Sequence, residues 1–498
     1  MFRKLAVIAG PLVALAVIFL FDLDPQNRSV TITFAIALWM AIWWITEAIP
    51  IAATALLPVA LFPISGVASG RDVASVYFNH IIFLFIGGFL IALALQRWDL
   101  HKRIALKIML VIGTSPARII LGFMAASFFL SMWISNTATV MMMLPIALAV
   151  IARLEENFET RGVRKVATSL LLGTAYASSV GGMATLIGTP PNLAFAKIFE
   201  EMFPKAPEIS FASWMIFALP ISIAFAVIIW LLMIAPLQRG RKLALPSREI
   251  FLTEYRKLGR MSFEEKIVLA DFVLLAFLWL FRKPVEVGGF TLPGWSSLLP
   301  VPGYIDDGTV SIAMALILFL IPSRSRPGQR VMDWKTAVGL PWGIVILFGG
   351  GFALAYAFRI SGLSEWIGMQ LSGLAGVPPL LLIACICLMM TFLTELTSNT
   401  ATTQTILPII AGVAVGIGVN PLLLMVPATL SASCAFMLPV ATPPNAIVYG
   451  GGRFKISTMS RFGIVLNFAG VFLISLLFYY LSRHVLGIDL NVLPAWAA

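Results

Sequence analysis

Charge is what this sequence has least of. Asp, Glu, Lys and Arg make up 11% of its 498 residues and hydrophobic residues 60%, whereas about a quarter of an ordinary soluble domain is charged. No water-soluble fold can bury that apolar share. Cysteine is also scarce, and Cys385, Cys387 and Cys434 all lie in apolar stretches, which excludes a disulfide-stapled secreted scaffold. The three histidines, His80, His101 and His484, are scattered near the ends of apolar segments, a pattern without a catalytic or metal-binding cluster. The chain carries a net charge of +11. In a membrane protein that excess follows from cytoplasmic loops retaining Lys and Arg, so a nucleic-acid partner is not implied. What is abundant is apolar length. At about 20 residues per span the total caps the crossings near fifteen, and Gly, Pro and polar breaks reduce this to about ten to twelve. The expected fold class is an all-α polytopic membrane protein in a lipid bilayer, without an enzymatic site.

Loop charge orients the spans. Met1-Phe2-Arg3-Lys4 and the apolar run to Phe21 lack a small-residue cleavage site, so this segment reads as a first span that stays. Apolar segments follow at 30–46, 48–64 and 81–97, then a basic amphipathic stretch with Arg97, His101, Lys102, Arg103 and Lys107 reads as an interfacial helix. Basic checkpoints recur at Arg153–Lys165, Arg239–Arg260, Arg324–Lys335 and Arg453–Arg461. Holding each inside gives a broken span near 168–202, spans at 211–236, 266–281, 309–322 and 342–358, a second broken span at 423–449, and a last span at 462–482. The count is eleven crossings, N-terminus cytoplasmic and C-terminus extracytoplasmic. Two apolar segments, 116–152 and 377–419, must return to the side they entered.

Those two segments share a word. Ser135-Asn136-Thr137-Ala138-Thr139 recurs as Ser398-Asn399-Thr400-Ala401-Thr402, 263 positions later (398 − 135). At the same offset Gly87-Gly88-Phe89 matches Gly350-Gly351-Phe352, and Pro145-Ile146 matches Pro408-Ile409. Thr189-Pro190-Pro191-Asn192 recurs as Thr442-Pro443-Pro444-Asn445. By the crossing count the span at 81–97 runs inward and its repeat at 344–360 outward. Inverted repeats with interrupted segments at corresponding positions are a pattern of secondary transporters, with the site at the repeat interface.

The 116–152 and 377–419 segments therefore read as re-entrant helical hairpins, tolerated at membrane depth only against protein or a wet cavity. Ser, Asn and Thr at each bend can cap the returning arm and offer donors and acceptors to a ligand. The returning helix starts with about half a positive charge while the entering helix ends in free carbonyls, so one tip can face an anion and hold a hard cation. The paired prolines imply unwinding within the broken spans. From Ile119 to Ala152 no residue is charged, and from Leu374 to Gly452 only Glu395 is. An anion there must be neutralised by helix termini, hydroxyls, amides and co-bound cations, which points to Na⁺ as countercharge for a small dianion.

With its paired Ser-Asn-Thr tips, Thr-Pro-Pro-Asn breaks and eleven-span plan, the chain resembles the divalent anion/sodium symporter family. The resemblance implies a homodimer working by an elevator mechanism in a bacterial inner membrane. It implies substrate contacts from Ser135, Asn136, Ser398, Asn399 and Thr400, with Thr442 and Pro443 nearby; Thr137 completes the first tip. One Na⁺ site would use Ser131, Ser135, Asn136 and Gly188, and the other Thr394, Thr397, Asn399 and Ala441. No organic cofactor is implied; Na⁺ is the coupling ion. The domain reading divides the chain into scaffold at 1–114, transport unit at 115–237, cytoplasmic loop and further scaffold at 238–376, and further transport unit at 377–498. The expected function is sodium-coupled symport of C4 dicarboxylates such as succinate, malate and fumarate. Alternatives are a sodium-independent dicarboxylate exchanger, a sulfate or citrate symporter of the same fold, and Na⁺/H⁺ exchange through Glu395. Glu395 and Glu47 are intramembrane carboxylates on this reading, and Glu395 is expected to be hydrogen-bonded behind the hairpin tip. Met141-Met142-Met143 reads as packing or lipid-facing.

Overall fold

A computed structural model describes residues 2–113, 115–157, 160–237, 249–287, 290–485, 489 and 492–497. The basic residues Arg239, Arg241, Lys242 and Arg248 lie outside the described residues. The described chain is helical, apart from an antiparallel two-stranded hairpin of Val285–Val287 and Phe290–Leu292, with Val285 opposite Leu292. The strands alternate apolar with polar residues and are joined in sequence by Gly288-Gly289, a dipeptide suited to a tight hairpin turn. This is the one departure from the expected all-α chain among the described residues.

Among the described residues six helices are long and apolar enough to cross a membrane by length and composition: Arg28–Thr46, the stretch Gly70–Arg97, Asn136–Glu156, Phe211–Ile234, Trp342–Ile360 and Ile456–Arg483. Large apolar side chains such as Phe19, Ile64, Val111 and Phe472 are exposed on the outside, as a lipid-facing surface requires. The 48–64 segment departs from expectation. It is two short helices, Ile51–Thr54 and Leu57–Ile64, because Pro50 and Pro58 each remove a backbone donor and start a new turn. Glu47 is likewise not mid-span. It ends the Arg28–Thr46 helix in left-handed conformation, φ 47°, with its N–H bonded to Trp43 O.

Two helical hairpins carry the repeated words. The first pairs Pro116–Ser131 with Asn136–Asn157; the second pairs Pro379–Thr394 with Asn399–Gly416. Each is followed by a broken helix: Thr160–Met183 then Pro190–Met202, and Leu422–Ser431 then Pro443–Gly450. The prolines do not unwind these helices from within. They open the second piece of each, where the missing N–H costs nothing, and the non-helical stretch precedes them at 184–189 and 432–442.

Packing interlocks the halves. The first returning arm lies on Pro443–Gly450, and the second returning arm lies on Pro190–Met202. Trp342–Ile360 packs against both Pro190–Met202 and the second returning arm, while His80–Arg97 packs on Asp307–Leu320. On the second returning arm, a Cβ at Gly412 would lie 2.5 Å from Ser364 O, so that arm touches the Leu363–Gln370 helix backbone to backbone. The Leu100–Ile112 stretch is less exposed than an interfacial helix. His101 and Arg103 are both buried, and Arg103 pairs with Glu265 at 2.7 Å.

Candidate functional site

The first tip turns over Met132–Ser135. Ser135 Oγ accepts from the Ala138 N–H at 3.2 Å, the capping geometry that satisfies an orphan donor of the returning arm. Ser131, the last residue of the entering helix, donates through Oγ to Asn136 Oδ1 and lies 3.1 Å from Ser178 Oγ. Ser178 Oγ in turn donates to Asn136 O at 3.1 Å. The terminal amide atom of Asn136 on this side is 3.3 Å from Gly188 O and 3.2 Å from Ser178 O. As nitrogen it donates into the cluster. As oxygen it completes an all-oxygen nest that a cation can bridge.

The break beside this tip is held by side chains. Thr185 Oγ1 donates to Met132 O at 2.5 Å and accepts from the Gly188 N–H at 3.1 Å. Asn192 Nδ2 donates to the carbonyls of Gly182, Met183 and Thr185 at 3.2, 3.2 and 2.7 Å. Gly188 is required by space: a Cβ there would lie 2.6 Å from Gly182 O and 2.9 Å from Ser131 O.

Corresponding residues of the second tip make corresponding bonds. Thr394 Oγ1 donates to Asn399 Oδ1 at 2.5 Å and lies 2.9 Å from Ala432 O. Thr397 Oγ1 is 2.5 Å from Thr402 Oγ1 and donates to Leu393 O at 2.8 Å. Asn445 Nδ2 donates to Ala435 O at 3.0 Å and Leu438 O at 3.1 Å, the counterparts of Gly182 and Thr185. Thr442 caps the following helix, accepting from the Asn445 N–H at 3.4 Å.

Here Glu395 replaces the hydroxyl brace. Its carboxylate accepts from the N–H groups of Phe436, Met437 and Leu438 at 2.6, 2.8 and 3.2 Å, and from Asn467 Nδ2 at 2.8 Å. Four donors fill a buried carboxylate and fix the unwound chain to the tip, as a hydrogen-bonded, structural Glu395 requires. The first broken helix is itself joined to the second break, since Tyr176 OH, on Thr160–Met183, donates to Phe436 O at 2.8 Å.

The structure thus brings Ser131, Asn136 and Gly188 together, with Ser135 at the adjoining cap, and brings Thr394 and Asn399 together at the other tip, where the Thr397 hydroxyl turns instead to Thr402 and Leu393 O. Ala441 is placed in the second break, its N–H bonded to Leu438 O at 3.2 Å. The hydroxyls of Thr137, Ser398 and Thr400 make no hydrogen bond among the described residues, so Ser398 does not cap its arm as expected. Pro443 is exposed at the start of the Pro443–Gly450 helix. Sequence reasoning missed Ser178, Thr185, Asn467 and the bracing role of Asn192 and Asn445. The signal for Ser178 was present, because Ser431 stands at the offset that relates the Thr-Pro-Pro-Asn words.

Paired helical hairpins and broken helices, oxygen-rich and almost free of charge at their meeting points, define a polytopic membrane transporter. The chain belongs to the family described as the sodium:sulfate symporter transmembrane region, which it matches over residues 4–487. It is 44% identical over 495 residues to a protein of Staphylococcus saprophyticus named "Sodium-dependent dicarboxylate transporter SdcS", covering 98% of this chain and 93% of the relative. Two solved transporters share its fold at 12% identity. They are YdaH of Alcanivorax borkumensis, TM-score 0.55 over 85% of this chain and 88% of that one, and MtrF of Neisseria gonorrhoeae, TM-score 0.56 over 90% and 94%.

Proposed function

We propose that this chain is a sodium-coupled symporter of small dicarboxylates, C4 acids such as succinate, malate and fumarate, in a bacterial plasma membrane. The observation that carries the reading is the doubled oxygen cluster at two tips that hold no basic residue. Ser131, Asn136 and Gly188 supply one set of hard oxygen ligands, suited to Na⁺ rather than to a soft metal; Thr394, Thr397, Asn399 and Ala441 supply the other. The free hydroxyls of Ser398, Thr400 and Thr137, with Ser135, Asn136, Asn399, Thr442 and Pro443 beside them, receive the dianion. Two helix starts at about half a charge each offset roughly one of its two charges, so bound Na⁺ supplies the remainder and couples the fluxes. The name carried by the staphylococcal relative supports the same pairing of ion and substrate.

In this reading the spans number eleven, the repeats are inverted, and the N-terminus is cytoplasmic and the C-terminus extracytoplasmic. Transport units at 115–237 and 377–498 move as one body against scaffold at 1–114 and 238–376, an elevator motion within a homodimer. The interlocked packing of each returning arm on the opposite broken helix supports a single moving body. A thermal-shift panel tests ligand choice, because a ligand that binds the native state raises its apparent stability. Succinate is expected to stabilise the purified protein only with Na⁺ present. Stabilisation by sulfate or citrate above succinate would reassign the substrate, and equal stabilisation without Na⁺ would favour the exchanger.

A further inference from the structure

We infer that the chain carries a binding site for the phosphate headgroup of an anionic phospholipid, separate from the hairpin tips. A cavity of about 390 Å³ lies where Thr160–Met183 begins, Phe211–Ile234 ends and Ile456–Val485 begins. Arg164, Lys165 and Lys455 line it, with two threonines and a serine, and among the described residues no carboxylate does. Lys165 Nζ is oriented by donating to Pro236 O at 3.3 Å. Arg164 and Lys455 form no ion pair among the described residues, although the neighbouring cation Arg453 is paired with Glu155. Three cations converging without a counterion among the described residues, in a pocket between helices, match the chemistry of an oxyanion, and basic pockets of this kind hold lipid headgroups.

The walls favour a lipid over a free anion. Phe454, Phe462 and Pro236 complete the cavity. On the last helix Val465 follows Phe462 by three residues, with Phe468 and Phe472 beyond, and all three are exposed; helix geometry places Val465 on the face of Phe462. On the neighbouring helix Ile223, Val227 and Leu231, spaced by four, are exposed as well. Apolar paths therefore run from the charged pocket along two packed helices, where acyl chains can lie while the phosphate sits among the cations.

The test is lipid retention by the purified full-length protein, read by native mass spectrometry and by thermal stability in micelles doped with phosphatidylglycerol or phosphatidylcholine. Retention and stabilisation are expected with phosphatidylglycerol only. At about 1 kcal/mol per cation, Arg164→Gln with Lys455→Gln is expected to weaken it about 30-fold, while Arg461→Gln, an exposed cation outside the cavity, leaves it unchanged. The double variant should keep wild-type elution and its stabilisation by Na⁺ with succinate, which separates loss of the site from misfolding. Equal retention of both lipids, an equal loss in Arg461→Gln, or saturation of the site by inorganic phosphate or succinate at concentrations that displace the lipid would overturn the inference.

Discussion

Thr394 and Asn399 at the second tip place oxygens against oxygens, and at the first tip Ser131 meets the terminal amide of Asn136. A hydroxyl carries one proton, so Thr394 cannot donate to Asn399 Oδ1 and Ala432 O together, and the surplus acceptors suit a cation. Ser135 and Ser398 sit at the openings of these clusters, one capping and one free. Replacing either by Ala removes an interaction of about 1–1.5 kcal/mol. The apparent Kd for Na⁺ or succinate is expected to rise about tenfold with the fold retained; calorimetric titration of the purified variants checks this, and unchanged affinity in both would displace the site. Glu395 serves differently. Glu395→Gln replaces one acceptor oxygen by a donor facing backbone N–H groups, a cost of about 1–3 kcal/mol. A lower melting temperature and weaker Na⁺ binding are expected, without protons released on Na⁺ binding by the wild type. Na⁺-dependent proton release that vanishes in the variant would instead make Glu395 a proton carrier.

At the scale of elements, each hairpin tip is joined to a break, and the break is held open by side chains. Gly188 marks the closest approach. Gly188→Ala forces a Cβ against two carbonyls, and overpacking of this kind costs about 1–3 kcal/mol; thermal unfolding should show the loss, together with reduced stabilisation by Na⁺. A variant matching wild type in both would mean that the break does not contact the tip as described. These elements were partly legible beforehand. The repeated Ser-Asn-Thr and Thr-Pro-Pro-Asn words located both hairpins and both breaks, because turns and caps depend on residues adjacent in sequence. The prolines were legible as interruptions but not as helix starts, since an N1 proline and a mid-helix proline differ in what precedes them. Glu395 was legible as buried, but its donors at 436–438 and Asn467 were not, since contacts across 41 to 43 and 72 positions leave no local pattern. The split of 48–64 was hidden by its even hydrophobicity, which obscured the effect of Pro50 and Pro58.

Across the whole molecule, surface loops are fastened to the helical body by ion pairs. Arg97 reaches Asp333 at 2.6 Å, Thr336 Oγ1 at 3.0 Å and Gln329 Oε1 at 2.9 Å, tying the loop after Asp307–Leu320 to the end of His80–Arg97. Partial burial alone would raise the Asp333 carboxyl, but hydrogen bonds from Thr336 and the Arg97 guanidinium outweigh it and hold the pKa below the usual aspartate value. A depressed folded-state pKa contributes stability that is present above the unfolded pKa and lost as pH falls through the folded one. As pH falls through the ordinary aspartate value of about 3.9 and below it, the wild type should therefore lose melting temperature more steeply than Asp333→Asn, as parallel thermal scans would show; identical slopes would remove this contribution. The central claim is that the oxygen clusters couple Na⁺ to a dianion. Its most direct test is succinate accumulation in proteoliposomes under an imposed inward Na⁺ gradient. Concentrative uptake that stops when Na⁺ is replaced by K⁺ is expected; accumulation indifferent to Na⁺ would contradict the account.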